Sequence, residues 1–257
     1  MTYLSRIRIN PLRTASRTLL ANPRALHGAV TAGIADAPTD ERALWRLDSD
    51  NPRRPVLLTL TPSKPDWNHI VEQAGWPDAD GEHYAIRDYT PLLAQLATGR
   101  EFAFRLTASP VQNTSTPTGA SAHRTKTAAE LHHRSYRVPH RTAAQQLDWF
   151  LQRTTRWGFD IPAARTDTPA VGLDNRTGPD AGSGDAPRDV RITDRNRHSF
   201  TKPGTRTPVT LTTATFEGRL RIADPGLLQH ALLGGIGPSK AYGCGLLTLA
   251  PLPGQGR

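Results

Sequence analysis

One stretch constrains this chain more than any other: Gly234-Gly235-Ile236-Gly237-Pro238-Ser239-Lys240-Ala241-Tyr242-Gly243-Cys244-Gly245. A helical pattern precedes it, Asp224 to Leu233, with Leu227, Leu228, Leu232 and Leu233 at helical spacing. A short apolar run, Leu246 to Ala250, follows and reads as a buried strand. The order is therefore helix, glycine loop, strand. Dinucleotide fingerprints and P-loops sit between a strand and the helix after it, so the order here is inverted. Lys240 also lacks the preceding glycine and the following hydroxyl residue of a P-loop. These departures argue against a nucleotide site, and no small-molecule cofactor is expected. Glycines permit positive φ and close backbone approach. Successive amides in such a loop cradle anions, and a lysine adds a full charge. A plain helix-to-strand connection needs one or two glycines. Five glycines around one lysine exceed that need and favour phosphate contact through Gly235, Gly237, Ser239 and Lys240.

Charge points the same way. The 257 residues carry a formal net charge of +9 and have room for two compact domains. With a pI of about 10.4, a polyanionic partner is expected, nucleic acid before membrane. Lysine occurs only at positions 64, 126, 202 and 240, and arginine supplies the rest. A GC-rich genome explains arginine over lysine but not the excess of base over acid. Cys244 is the only cysteine, so no intrachain disulfide can form. No apolar run approaches membrane-spanning length, and Met1 to Arg8 opens on a strand-like alternation, unlike a signal peptide. A soluble, cytoplasmic protein is expected.

Element order suggests the fold. Residues 2–10 alternate as a strand, and Asn22-Pro23 reads as an N-cap with proline at the first helical position. That helix runs through Leu26, Val30 and Ile34. Strands follow at 43–47 and 55–61, a short helix at 65–75 and a strand at 83–89. Strand, helix, strand, strand, helix, strand is the split βαβ of a ferredoxin-like domain. The pattern then recurs: a strand at 101–108, a helix at 142–158 with Ala143, Leu147, Phe150 and Leu151 as its stripe, strand-rich sequence at 209–222, then the final helix, loop and strand. The expected class is α+β, with tandem ferredoxin-like (RRM-like) domains at 1–97 and 98–257. Each would have an antiparallel sheet with helices on one face.

Two stretches, 114–141 and 165–206, look too polar to bury a core. Within the second, Arg188 to His198 is basic, with Val190 and Ile192 alternating. It reads equally as a β-hairpin arm entering a nucleic-acid groove or as a solvated loop. Its candidate RNA contacts are Arg191, Arg195, Arg197, His198 and Lys202. For chemistry near neutral pH, histidines come first, since their unperturbed pKa is about 6.5. No Cys/His cluster has zinc spacing, and His132-His133 reads as exposed. His27 differs. Arg24 precedes it by three positions and shares its helix face. An arginine holding phosphate beside a histidine moving protons suits a phosphodiester.

At this point the residues resemble a family. Asn22-Pro23-Arg24-Ala25-Leu26-His27, then Leu44-Trp45-Arg46-Leu47, Pro65-Asp66-Trp67, Phe216-Glu217-Gly218-Arg219-Leu220 and the Gly235 to Leu247 ending resemble CasE proteins. Those are the CRISPR precursor-RNA endoribonucleases of type I-E Cascade. The resemblance implies metal-independent cleavage at the base of a repeat hairpin, with His27 as the catalytic histidine. It implies that the enzyme stays on its product guide RNA as a Cascade subunit beside the backbone subunit. The family can carry a tyrosine three residues before that histidine, where this chain has Arg24. An arginine stabilises phosphorane charge but exchanges protons poorly near neutral pH, so water or Tyr3 stands as the second acid or base. A non-catalytic protein that caps guide RNA is the competing reading. A general single-strand binder fits less well, because Phe102 and Phe104 share a face with Leu106 and read as core.

Overall fold

The computed structural model describes residues 1–35, 42–114, 136–164, 187–201 and 208–252. Two ferredoxin-like halves follow one another. The first sheet joins β1 (Tyr3–Arg8), β2 (Leu44–Asp48), β3 (Val56–Thr61) and β4 (Tyr84–Asp88) in the order β2-β3-β1-β4, every pair antiparallel. Alternation along β1 decides its two faces. Ile7 and Ile9 are buried under α1 (Thr14–Ala21), α2 (Pro23–Ala32) and α3 (Asn68–Ala74), in a core with Leu26, Val30, Trp67 and Ile70. Leu4 and Leu58, on the opposite face, pack against the second half. The short α4 (Thr90–Leu93) leads across to it.

The second sheet repeats the plan. Here β5 (Glu101–Ala108), β8 (Phe159–Asp160), β10 (Pro208–Ile222) and β11 (Leu247–Ala250) run β11-β5-β10-β8, and β9 (Val190–Thr201) pairs with β10 outside that path. Its helices are α5 (Ala143–Leu151) and α6 (Pro225–Gly234). Strict alternation buries Phe102, Phe104, Leu106 and Ala108 of β5 against Phe150 and Phe216. Phe102 and Phe104 are 3% and 4% exposed and so belong to the core.

Several expectations shift. The helix placed at 142–158 ends at Leu151, and a 3-10 turn, Thr155–Trp157, stops at Gly158 with φ of 82°. Of the stripe read from sequence, Phe150 is buried, Leu147 and Leu151 are half-buried and Ala143 is exposed, while Gln146 and Trp149 join the buried side unforeseen. Helix α1 has no counterpart in that reading: it buries Ser16 fully, and Leu19 and Leu20 pack only partly on the core. Both polar stretches contain strands. A two-stranded sheet pairs β6 (Val111–Thr114) with β7 (Tyr136–Pro139). The basic segment forms β9, laddered to β10 from Val190 to Thr201 with one register shift between Thr215 and Phe216. A solvated loop is thereby excluded, because the backbone of this segment is satisfied by its partner strand.

Candidate functional site

The glycine loop straddles an edge. Strand β2 is the outermost strand of the first sheet, and its side chains alternate between faces. A Cβ on Gly235 would meet Leu44 at 2.7 Å on one face, and a Cβ on Gly243 would meet the Trp45 ring at 2.7 Å on the other. Both glycines hold positive φ, 74° and 81°. Gly237 (φ 75°) lies against Trp149, and Gly245 (φ 94°) against Ile236 O. Two ladder-like bonds close the loop, Ile236 N–H to Gly245 O (2.9 Å) and Gly245 N–H to Thr107 O (2.8 Å). Close packing between the halves therefore accounts for Gly235 and Gly243, and packing within the loop itself for Gly245. Ser239 takes a left-handed backbone (φ 65°) and starts the 3-10 turn Lys240–Tyr242. Cys244, wholly buried beneath, has its thiol pushed up to about 12 by desolvation, which removes it as a nucleophile at neutral pH.

Helix α2 packs on that same 3-10 turn. Asn22 caps the helix by accepting from the Arg24 amide (3.0 Å), with Pro23 at the first position. Leu26 and Val30 bury one stripe. His27 is thereby half-buried, and its Nδ1 has no hydrogen-bond partner among the described residues. Desolvation lowers its pKa below the ordinary 6.5, so the neutral ring predominates at pH 7. Arg24 is exposed, one turn away on the same face. The Tyr3 hydroxyl donates to the Met1 sulfur (3.8 Å). Lys240 Nζ donates to Gly234 O, and Lys240 shares a cleft of about 410 Å3 with Arg42, Thr2 and Thr61. Burial first and Arg42 second lower its pKa.

Strand β9 divides the basic residues between its two sides. Phe200 packs on Tyr242 with ring centroids 4.9 Å apart, and His198, two positions earlier, shares that side. This ties the basic strand to the 3-10 turn and hence to α2. Arg195 and Arg197 face the other way. They line a cleft of about 440 Å3 with Arg141, Thr210 and Thr212. Arg195 donates to Gln146 Oε1 (2.8 Å) and to Arg141 O. Arg191 lies 3.4 Å from Glu217. Lys202 lies outside the described residues, as do His132 and His133. So the structure gathers α2, the Lys240 turn and the His198 side of β9 at one seam, and keeps Arg195 and Arg197 apart from it.

Sequence reasoning missed the residue that locks the seam. Arg46 is 2% exposed; it pairs with both oxygens of Asp48 (2.7 and 2.9 Å) and donates to Arg105 O (2.9 Å) and Leu246 O (3.0 Å) of the second half. Arg105 reaches back to Asp48 and Asp50. The available signal was an arginine inside the apolar run Leu44 to Leu47, since a buried charge demands partners. Among the described residues no group of three or more His, Cys, Asp or Glu is arranged to hold a metal ion. No described helix is long and apolar enough to cross a membrane.

Two ferredoxin-like halves joined by a basic, histidine-bearing seam define the class. The family model described as "CRISPR associated protein" matches residues 2–251, and the chain belongs to that family. Among its relatives is the CRISPR-associated endoribonuclease Cse3 of Thermus thermophilus, 28% identical over 255 residues, covering 97% of this chain and all of that one. The Cascade subunit CasE of Escherichia coli is 55% identical over 40 residues, 16% of this chain and 20% of that protein. The fold matches Cse3 bound to a 19-nucleotide RNA with a TM-score of 0.68 at 26% identity, covering 97% and 99% of the two chains. Cas6e of Escherichia coli shares the fold, with a TM-score of 0.53 at 22% identity over 97% and 100%.

Proposed function

We propose that this chain is a metal-independent endoribonuclease that cuts CRISPR repeat hairpins and stays on the product as a cytoplasmic Cascade subunit. The observation that carries the reading is the seam, where half-buried His27 and the Lys240 turn meet on contacting elements. Relatives support it: the protein from Thermus thermophilus is named an endoribonuclease, and that from Escherichia coli a Cascade subunit.

RNA supplies its own nucleophile, so a base, an acid and charge stabilisation suffice without a metal-bound water. Neutral His27 takes the proton of the ribose 2′-OH as that oxygen attacks phosphorus. The P–O5′ bond breaks, O5′ gains a proton, and the products are a 2′,3′-cyclic phosphate and a 5′-OH. Arg24, and Lys240 from across the seam, balance the phosphorane charge. Water or Tyr3 supplies the leaving-group proton. His198, Arg191, Arg195, Arg197 and Lys202 hold the hairpin by its phosphates, with Gly235, Gly237 and Ser239 offering backbone contacts.

A hairpin-binding protein that does not cut is the second reading. Arg24 favours it, because a guanidinium exchanges protons poorly near neutral pH. Incubating the protein with its own repeat RNA in EDTA decides between them. Cleavage to cyclic phosphate ends is the expected result. Tight binding with intact RNA would leave the capping role, and activity restored only by a divalent ion would end the metal-free route.

A further inference from the structure

The outer face of the first sheet is only half covered. At one end Leu4 and Leu58 meet the second half. At the other, Arg6 and Arg8 open onto a cleft of about 660 Å3 that Arg54, Val56, Trp76 and Glu82 also line. The alternation that sends Ser5 and Ile7 under the helices leaves Arg6 and Arg8 outside. Register with β3 sets Val56 opposite Arg8. Beyond α3 the chain turns round the end of β1, where the Asn10 amide donates to Ala74 O (2.8 Å). That turn brings the half-buried Trp76 indole into the cleft.

Charge here is not neutralised within the cleft. Three arginines face one carboxylate, Glu82, which itself lies 3.9 Å from a further arginine, Arg87. Arg8 donates to Glu82 O (3.3 Å). The side chains of Arg6 and Arg54 make no hydrogen bond or ion pair with another described residue. An indole beside unpaired guanidinium groups takes a base on its π face and phosphates on the planar forks. Ligand pockets span about 300–1,000 Å3, so one or two nucleotides fit. Helix α2 and His27 lie on the other face of this sheet, so the cleft is separate from the seam.

We propose that the Arg6–Arg54–Trp76 cleft is a second RNA site, which takes one or two single-stranded nucleotides flanking the hairpin. It rests on the RNA reading above for its ligand. Stacking on Trp76 supplies tolerance of sequence, because every base has a π face, and Arg6 and Arg54 supply phosphate contact.

The test compares three RNAs at one salt concentration: the bare repeat hairpin, the same hairpin with a single-stranded flank, and an unstructured octaribonucleotide. Wild type should bind the flanked hairpin roughly tenfold more tightly than the bare one, the order expected for one stacked base. Arg6→Gln with Arg54→Gln should abolish that gain, as should Trp76→Ala, while Trp76→Phe keeps most of it. Bare-hairpin affinity and cleavage should stay unchanged in the arginine double variant, because these side chains make no hydrogen bond or ion pair with another described residue. Ultraviolet crosslinking should attach the flank to the peptide containing Trp76. No gain from the flank in wild type overturns the proposal, as does a gain that survives the double variant or an equal loss of bare-hairpin binding. An acidic peptide that displaces the flank at lower concentration than RNA would assign the cleft to a protein and also overturn it. Should the hairpin fail to bind at all, the hairpin reading falls, and the octaribonucleotide alone then decides the cleft by the same variants.

Discussion

The glycine loop and strand β9 carry similar signals in sequence: each is polar or flexible, basic, and suited to an anion. Their structures differ in kind. In the loop, positive φ at Gly235, Gly243 and Gly245 coincides with contacts so close that a Cβ would collide. Gly235 and Gly243 record packing between the two halves, and Gly245 packing within the loop. In β9, Arg191, Arg195 and Arg197 are exposed, and the segment is ordered by its ladder to β10 and by the apolar side chains of Val190, Ile192 and Phe200. Its arginines record surface. Glycine content and charge therefore report different things, even where both invite a phosphate. The division suggests that the seam performs chemistry and β9 supplies grip.

The largest expected effect separates those roles. His27→Ala should slow single-turnover cleavage roughly 10²–10⁴-fold, the usual contribution of a positioned acid or base, while hairpin affinity survives. Arg195→Gln with Arg197→Gln should weaken binding yet leave the rate at saturating protein nearly unchanged. Equal losses of rate in both variants would dissolve the comparison.

Stability gives the next test. Gly243→Ala combines a left-handed backbone with a Cβ 2.7 Å from the Trp45 ring. Strain and overpacking of that kind each cost about 1–3 kcal/mol. Gly99→Ala shares the positive φ (82°) but has nothing within 4 Å, so only the first cost applies. Urea midpoints should fall further for Gly243→Ala than for Gly99→Ala. Matching midpoints would mean that the loop yields at Trp45 and does not lock the halves.

How far the sequence reached follows from the range of the forces involved. Strand β5 was legible because strict alternation decides burial locally. The cap and apolar stripe of α2 were legible for the same reason. Strand β9 was half legible: Val190 and Ile192 alternate, but polar residues fill most of the segment and its pairing with β10 is not local, so a β-hairpin arm and a solvated loop read equally. The meaning of Gly235 and Gly243 was also hidden, because it depends on Leu44 and Trp45, far away in the chain. Arg46 shows the same limit: its carbonyl acceptors at Arg105 and Leu246 lie 59 and 200 positions away. His27 and Arg24 could be read as a pair from spacing alone, but the contact between α2 and the Lys240 turn could not.

Acidity sharpens the seam's side of the comparison. Burial lowers the His27 pKa below 6.5, so the charged form is disfavoured and the ring is a free base at neutral pH. The second-order rate constant, measured with protein below saturation, reports the free protein. It should rise about tenfold per pH unit at low pH and level off with a midpoint under 6.5. A limb that falls through this range instead would make His27 the acid.

The smallest effects concern individual arginines of β9. Arg197 makes no side-chain hydrogen bond or ion pair with another described residue, whereas Arg191 lies beside the Glu217 carboxylate at 3.4 Å. A phosphate can take Arg197 without displacing anything, but it must compete with Glu217 for Arg191. Each phosphate contact contributes about 0.7–0.9 to the slope of log affinity against log salt. Arg197→Gln should therefore flatten the salt dependence of hairpin binding by about that amount. Arg191→Gln should flatten it less, and Arg195→Gln should fall between, since Arg195 already donates to Gln146 and Arg141. Filter binding of the hairpin across a series of salt concentrations measures all three slopes. If Arg197→Gln leaves the slope unchanged while Lys240→Gln reduces it, the grip belongs to the loop, and the glycines there serve phosphate as well as packing.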